Sequence, residues 1–407
     1  MTDTSPPLFV RRRLRQGRDR LATVLVTAGG IGVILALLAI GVFLVVEVVP
    51  LFWATGATQV VSPETLWSPL AGGDDSVGHR WDPTASLVEG ESPRVSLVPL
   101  AWGTLEAAAW ALLIAVPLAL GAASHSALFM SSRLRSHLKP TLELMEALPG
   151  VVIGFVAGLV LAPWVERHLA DVLAMLLLLV PGLLLAGSLW SCLPPRLQQV
   201  MPLGWAGLWL LPWLLLMVVV AQALSPWLEA WAFDGDLRHW LEARLGLDIA
   251  VRNAMIVGMA MGFAVMPSVY ALAEDALSGV PRSLAEGAQA LGATRWQTLW
   301  RVVLPAASPG IFSAVMIGAG RAVGETMIVL MASGNAALMT WNPLDGLRSL
   351  AATIAIELPE AGPGGPHYRL LLLAALLLFV FTFLVNTLAE LVRTRLRRRY
   401  RRLGGGA

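Results

Sequence analysis

Apolar residues in this chain come in long blocks, not in the 3.6-residue stripe of a surface helix or the two-residue alternation of a half-buried strand. A helix needs about 20 mainly apolar residues to cross the hydrocarbon of a bilayer. Eight segments meet that requirement: Leu21 to Val46, Leu100 to Ala123, Ala147 to Val165, Val172 to Leu193, about Leu203 to Leu224, Asn253 to Ala273, Ala306 to Met331 and Leu370 to Ala389. The pattern predicts an all-α polytopic membrane protein of about eight helices. Of the polar gaps, Pro50–Val98 and Ser225–Arg252 are too short and too mixed to be ligand-binding domains. Asn335–His367, with Gly362, Pro363, Gly364, Gly365 and Pro366 near its end, reads as a loop folded back between the last two spans. No internal repeat of the kind that builds many secondary transporters is visible.

Composition agrees with this pattern. Hydrophobic residues make up 57% and charged residues 14% of the 407, with a mean hydropathy of +0.70. A soluble domain of this size would need far more charge on its surface. Sixteen Trp against three Tyr suit indole rings at membrane interfaces. Cys192 is the only cysteine and the six histidines are scattered, so neither an internal disulfide nor a paired metal motif is expected.

Charge sets the direction of the spans. Starting from a cytoplasmic N-terminus puts twenty basic residues inside and eight outside, a positive-inside bias that places both termini in the cytoplasm. The apolar run Leu21–Val46 is longer than the roughly 7–15-residue core of a secretion signal, and reads as an uncleaved anchor. The expected organisation is a basic cytoplasmic N-terminus over 1–20, an anchor helix over 21–49, an external loop over 50–98, a membrane domain over 99–392 and a basic tail over 393–407. Arginine clusters beside a membrane helix point to anionic lipid, and no nucleic-acid motif accompanies them.

The most informative polar segment is Glu274–Pro305. Ser283 with Glu286, and Thr294 with Gln297, have the spacing of two capping boxes, and Gly292 stands between them where a helix end favours positive φ. This predicts a short helix Leu284–Leu291, a glycine corner, and a second helix Arg295–Val303 stopped by Pro305. Ser308 and Pro309 would then cap and open the next span. A two-turn helix is unstable alone in water, so Leu284, Ala288 and Leu291, on one side, either fold onto the membrane domain or dock a separate protein.

The seventh span carries Arg321 and Glu325 about mid-span at i and i+4, hence on the same helix face. A charge at the bilayer centre costs at least roughly 2.5–3.5 kcal/mol, so both should face protein or water. Two readings stand: a structural ion pair, or a guanidinium that contacts an oxyanion in transit while Glu325 keeps it from binding too tightly. Gly320 and Gly324 would let another helix or a narrow passage come close.

Glu286-Gly287-Ala288, then Gly292, then Val302-x-Leu304-Pro305 resembles the EAA loop of ABC importer permeases, with Gly287 in place of an Ala and Val302 in place of an Ile. The string GRAVGETM around Arg321 and Glu325 resembles the PstC-type permeases of phosphate importers. So do PLALGAA from Pro117, KPTLELMEALPGVVIGFVAGL, RNAMIVGMAMGFAVMPSVYALAEDA from Arg252 and FVFTFLVNTLAELVR from Phe379. The resemblance covers roughly Ser96–Leu403.

It implies a six-helix, MetI-like permease core, with an extra hairpin over about 170–224 and a coupling loop over about 275–305. The implied function is ATP-driven import of inorganic phosphate across the bacterial cytoplasmic membrane, with sulfate or molybdate import, or phosphate sensing without transport, as alternatives. In that family Arg321 and Glu325 would line the substrate path. Ser283, Leu284, Glu286, Gly287, Ala288, Leu291, Gly292, Leu304 and Pro305 would couple to the ATPase. The implied partners are a second, PstA-type permease, two copies of a PstB-type ATPase, an external PstS-type phosphate-binding protein, and membrane lipid. The chain has no G-x-x-x-x-G-K-[ST] loop. It is therefore expected to be no enzyme and to hold no cofactor, with Mg-ATP bound by the partner.

Overall fold

The computed structural model describes residues 8–53, 66–67, 70–71, 77–79, 81–82, 94–192, 210–247 and 249–404. Most of the expected external loop over 50–98, and residues 193–209 with the expected turn at Pro194, Pro195 and Arg196, lie outside that set. The membrane helices are α1 (Leu8–Trp53), α2 (Val98–Leu128), α4 (Gly150–Arg167), α5 (Leu169–Cys192), α6 (Leu210–Ala232), α8 (Ala254–Ser278), α10 (Arg295–Gly324) and α13 (Pro366–Gly404). Seven contain a window long and apolar enough to cross a membrane, and α5, bent by 46° near Pro181, makes the eighth. Shorter helices are α3 (Ser132–Glu146), α7 (Leu237–Leu245), α9 (Arg282–Ala290), α11 (Met327–Ala332) and α12 (Leu350–Glu357). Two two-residue ladders, Leu70–Ala71 with Val77–Gly78 and Trp81–Asp82 with Arg94–Val95, are the strands among the described residues.

Helix α8 is the hub. Its apolar window is 67% buried, against 11% for α1, so α8 is surrounded by protein and α1 by lipid. Without a hydrophobic drive between helices in lipid, association rests on close packing of small residues. Ala107, Ala111, Ala115, Ala119 and Ala123 recur every fourth position along α2 and are all buried. Facing them, a Cβ on Gly258 of α8 would lie 2.8 Å from the Trp110 Cβ. On its other side α8 runs antiparallel to α10: a Cβ on Gly318 would sit 2.5 Å from Val269, and one on Gly310 2.4 Å from Ala276. The hairpin α5–α6 packs mainly on itself. The Arg238–Glu166 pair at 2.9 Å ties α7, which follows the hairpin, to the end of α4, which precedes it.

Two carboxylates fasten the opposite ends of the bundle. At the end bearing α9, the fully buried Glu274 of α8 is paired with Arg135 and, at 3.3 Å, with Lys139, both on α3; Lys139 also reaches Asp275 at 2.5 Å. These basic residues lie between the second and third spans expected from the sequence. They sit on a helix because Ser131 caps it, accepting from the Leu134 N–H at 3.4 Å. At the other end Glu357 accepts from Trp81 Nε1 at 3.0 Å and pairs with Arg348 at 2.5 Å and His367 at 2.9 Å. The folded-back loop expected over Asn335–His367 is present, and it seats against α2 where Trp102 Nε1 donates to the Thr340 carbonyl at 3.1 Å and the Leu350 N–H to Thr104 Oγ1 at 3.0 Å.

Removing Arg135 leaves the buried Glu274 to Lys139 alone, a partial loss within the about 3–5 kcal/mol that a fully stranded buried charge costs. Arg135→Met should lower the thermal midpoint of the detergent-solubilised protein, and adding Glu274→Gln should recover part of the loss. A thermal unfolding series on the single and double variants checks this.

Candidate functional site

Two regions collect the residues singled out from the sequence. The first is the polar segment after α8. Helix α9 starts at Arg282 with Pro281 as its N-cap, two residues earlier than a Ser283 cap would allow, and no side chain caps it. The Ser283–Glu286 capping box is therefore not formed: Pro281 already supplies the extended residue, and Ser283 falls inside the first turn. At the other end the Gly292 N–H donates to the Gln289 carbonyl at 2.9 Å and the Ala293 N–H to the Ala288 carbonyl at 3.1 Å. This is a Schellman closure, and it needs the positive φ of +88° at Gly292. The second capping box is present, with Gln297 N–H on Thr294 Oγ1 at 3.2 Å and Thr294 N–H on Gln297 Oε1 at 2.9 Å.

Pro305 does not stop the helix that follows. The turn Leu299–Val303 is a π-helix, in which the Leu304 N–H reaches back to the Leu299 carbonyl, and Pro305 occupies the second position of the α-helical continuation. The wider turn absorbs the missing proline donor. Ser308 and Pro309 are consequently mid-helix, not a cap and first turn.

No residue of α9 is buried. Ala285 and Ala288 rest half-buried against the bundle, while Leu284 is 49% and Leu291 92% exposed. Glu286, Gly287 and Gly292 are exposed beside them. The sequence did not single out Trp296 and Trp300, which stand exposed on the first turns of α10 with ring centroids 5.8 Å apart.

The second region surrounds Arg321. Helix α10 ends at Gly324, and Glu325 is extended with φ −71° and ψ 123°, so the expected shared helix face of Arg321 and Glu325 does not exist. Nor does Glu325 neutralise Arg321. Its carboxylate accepts from the Ile328 N–H at 3.4 Å, at the start of α11. The close approach of the segment after this corner to α4 requires glycines: a Cβ on Gly154 would lie 2.8 Å from the Met327 carbonyl oxygen, and one on Gly158 2.4 Å from that of Met331.

Arg321 is held by groups from two other helices. Its Nη1 donates to Glu146 Oε1 at 2.8 Å and to Ser268 Oγ at 2.6 Å, and its Nη2 to the Glu146 carbonyl at 3.4 Å. Ser268 Oγ in turn donates to Glu146 Oε1 at 2.7 Å. Glu146 ends α3 and Ser268 lies within α8. The side chains of Arg321 and Glu146 remain 34% and 42% exposed, so the guanidinium is latched but open on one side. An always-charged fork with unused donors, beside a helix break in the apolar zone, is a place where an anion can be met.

Residues 115–402 match the family described as binding-protein-dependent transport system inner membrane component. The chain belongs to that family. It is an ABC transporter permease component, a multi-pass protein of the inner membrane, and a transport subunit in class. It is 25% identical over 96% of its length to the probable ABC transporter permease protein YqgH of Bacillus subtilis, and spans 96% of that protein. It is 27% identical to the phosphate transport system permease protein PstC of Haemophilus influenzae, over 80% of this chain and 82% of that one. It is 28% identical to the phosphate transport system permease protein PstC 1 of Mycobacterium tuberculosis, over 72% and 70%.

The glycine corner of this permease gives a direct test. A side chain at φ +88° costs about 1–2 kcal/mol. Gly292→Val should speed amide exchange across Arg282–Ala293 by about five- to thirtyfold while leaving that of α8 unchanged, as hydrogen–deuterium exchange would show.

Proposed function

We propose that this permease carries inorganic phosphate, driven by a separate ATPase that docks on α9. The observation that carries the reading is the geometry at Arg321: an open guanidinium where a transmembrane helix breaks. Irregular backbone at membrane depth is tolerated where it lines a cavity or is buried in protein. The phosphate-permease names of several relatives support the choice of anion. The basic face bearing α3, α9 and the start of α10 is then cytoplasmic, and both termini lie on that side, as the positive-inside bias requires. Leu284 and Leu291 present an apolar edge to the ATPase, and Leu304 and Pro305 place the coupling segment in line with the helix that bears Arg321. A second, PstA-type permease closes the path around the exposed side of Arg321, with Glu325 at its wall. A PstS-type binding protein delivers phosphate to the opposite face, and two PstB-type subunits hold Mg-ATP.

In proteoliposomes reconstituted with those partners, Arg321→Gln should lower phosphate uptake by about ten- to hundredfold, the worth of one charge-assisted contact, with assembly intact. Uptake at the wild-type rate would reject the path. Sulfate in excess should leave phosphate uptake unchanged, whereas full competition would favour a general oxyanion permease. Leu291→Asp should prevent co-purification of the ATPase without changing the thermal midpoint of the permease.

A further inference from the structure

Resting on that reading, we infer that Glu146 is a built-in substitute for the substrate: its carboxylate occupies Arg321 when no anion is present, must be displaced for phosphate to bind, and returns to expel it. Glu146 Oε1 sits 2.8 Å from Nη1 of Arg321, with the Ser268 hydroxyl bridging both. A carboxylate and a phosphate oxygen present the same acceptor chemistry to a guanidinium fork. A permanently open Arg321 would hold its anion too well to release it, and a permanently latched one would never take it. A latch in competition with the substrate satisfies both demands.

The position of Glu146 explains how the latch is worked. It is the last residue of α3, followed by a C-cap at Ala147 and an extended Pro149, so it stands on a corner and is not packed in a helix interior. Eleven and seven residues earlier, Arg135 and Lys139 of the same helix grip Glu274 at the end of α8 that leads into α9. The order of these contacts shows that α3 runs antiparallel to the last turns of α8. Helix α3 runs unbroken through Pro140 to Glu146, so the grip and the latch lie on one element. Displacement of the α8–α9 junction is thereby passed along α3 to Glu146. In the grip Glu274 is fully buried and shared by two cations, whereas in the Glu146–Arg321 pair the carboxylate is itself 42% exposed. The clasp at the α9 end is the stronger, so the latch is the end that gives way.

The test uses the permease assembled with its partner permease and ATPase in nanodiscs, without binding protein or nucleotide, and equilibrium binding of radiolabelled phosphate. Removing the competing charge in Glu146→Gln should tighten phosphate binding by about tenfold or more and slow turnover in proteoliposomes, while Glu146→Asp stays near wild type in both. A Glu146→Gln complex that assembles and binds phosphate as wild type does would overturn the latch. Should that variant fail to assemble, Ser268→Ala removes the bridging hydroxyl and should tighten binding severalfold. Unchanged binding there, or failure of both variants to assemble, assigns Glu146 a structural role and overturns the inference. Arg321→Gln separates this from the proposed path: if it binds phosphate normally the path itself falls, and if it loses binding while Glu146→Gln is unaltered only the latch does.

Discussion

A charge that must live inside a bilayer needs partners from the protein, and around Arg321 the local architecture is arranged to meet that need. The guanidinium cannot draw on its own helix, which ends three residues later at Gly324. It is met by α3 from the basic face and by Ser268 from the central helix α8. The broken backbone beyond it is likewise provided for: Glu325 accepts the first free N–H of α11, and α4 brings glycines to the crossing so that the unwound segment lies on protein and not on lipid. Each of these features answers the same cost, and together they leave one side of the cation uncovered.

The two ends of the bundle are finished in opposite ways. Facing away from α9, Glu357 gathers an indole, a guanidinium and an imidazole and fixes the folded-back loop to the start of α13. Facing α9, the Glu274 clasp is just as firm, yet the helix immediately after it buries nothing. A nine-residue helix with no buried side chain gains little from its own domain, and its order comes from its caps: proline before it, a glycine closure after it and a capping box beyond. Such a segment is stiff enough to be pushed and bare enough to be gripped.

Much of this was legible from composition and spacing. The membrane spans follow from hydropathy, because the bilayer imposes them residue by residue. The Gly292 corner and the Thr294 cap were legible because their interactions close within five residues. What escaped notice was non-local or depended on a subtle change of helical pitch. Glu146 and Ser268 lie 175 and 53 positions from Arg321 in sequence, and neither is unusual in its own segment; a glutamate just ahead of a Pro-Gly pair and a lone serine in an apolar helix were the faint signals. The Ser283 box failed because Pro281 had already begun the helix. The break at Glu325 was hidden by the assumption that an apolar run with i, i+4 charges stays helical.

The π turn at Leu299–Val303 carries a mechanical implication. Had Pro305 ended one helix and Ser308 begun another, the exposed segment after α8 would meet the membrane span through a joint, and joints dissipate motion. Because the wider turn lets the helix run through the proline, a single shaft of roughly 45 Å, at 1.5 Å per residue, extends from Arg295 to Gly324. The exposed start of this shaft beside the glycine corner and the far tip, where the chain unwinds, are therefore two ends of one helix.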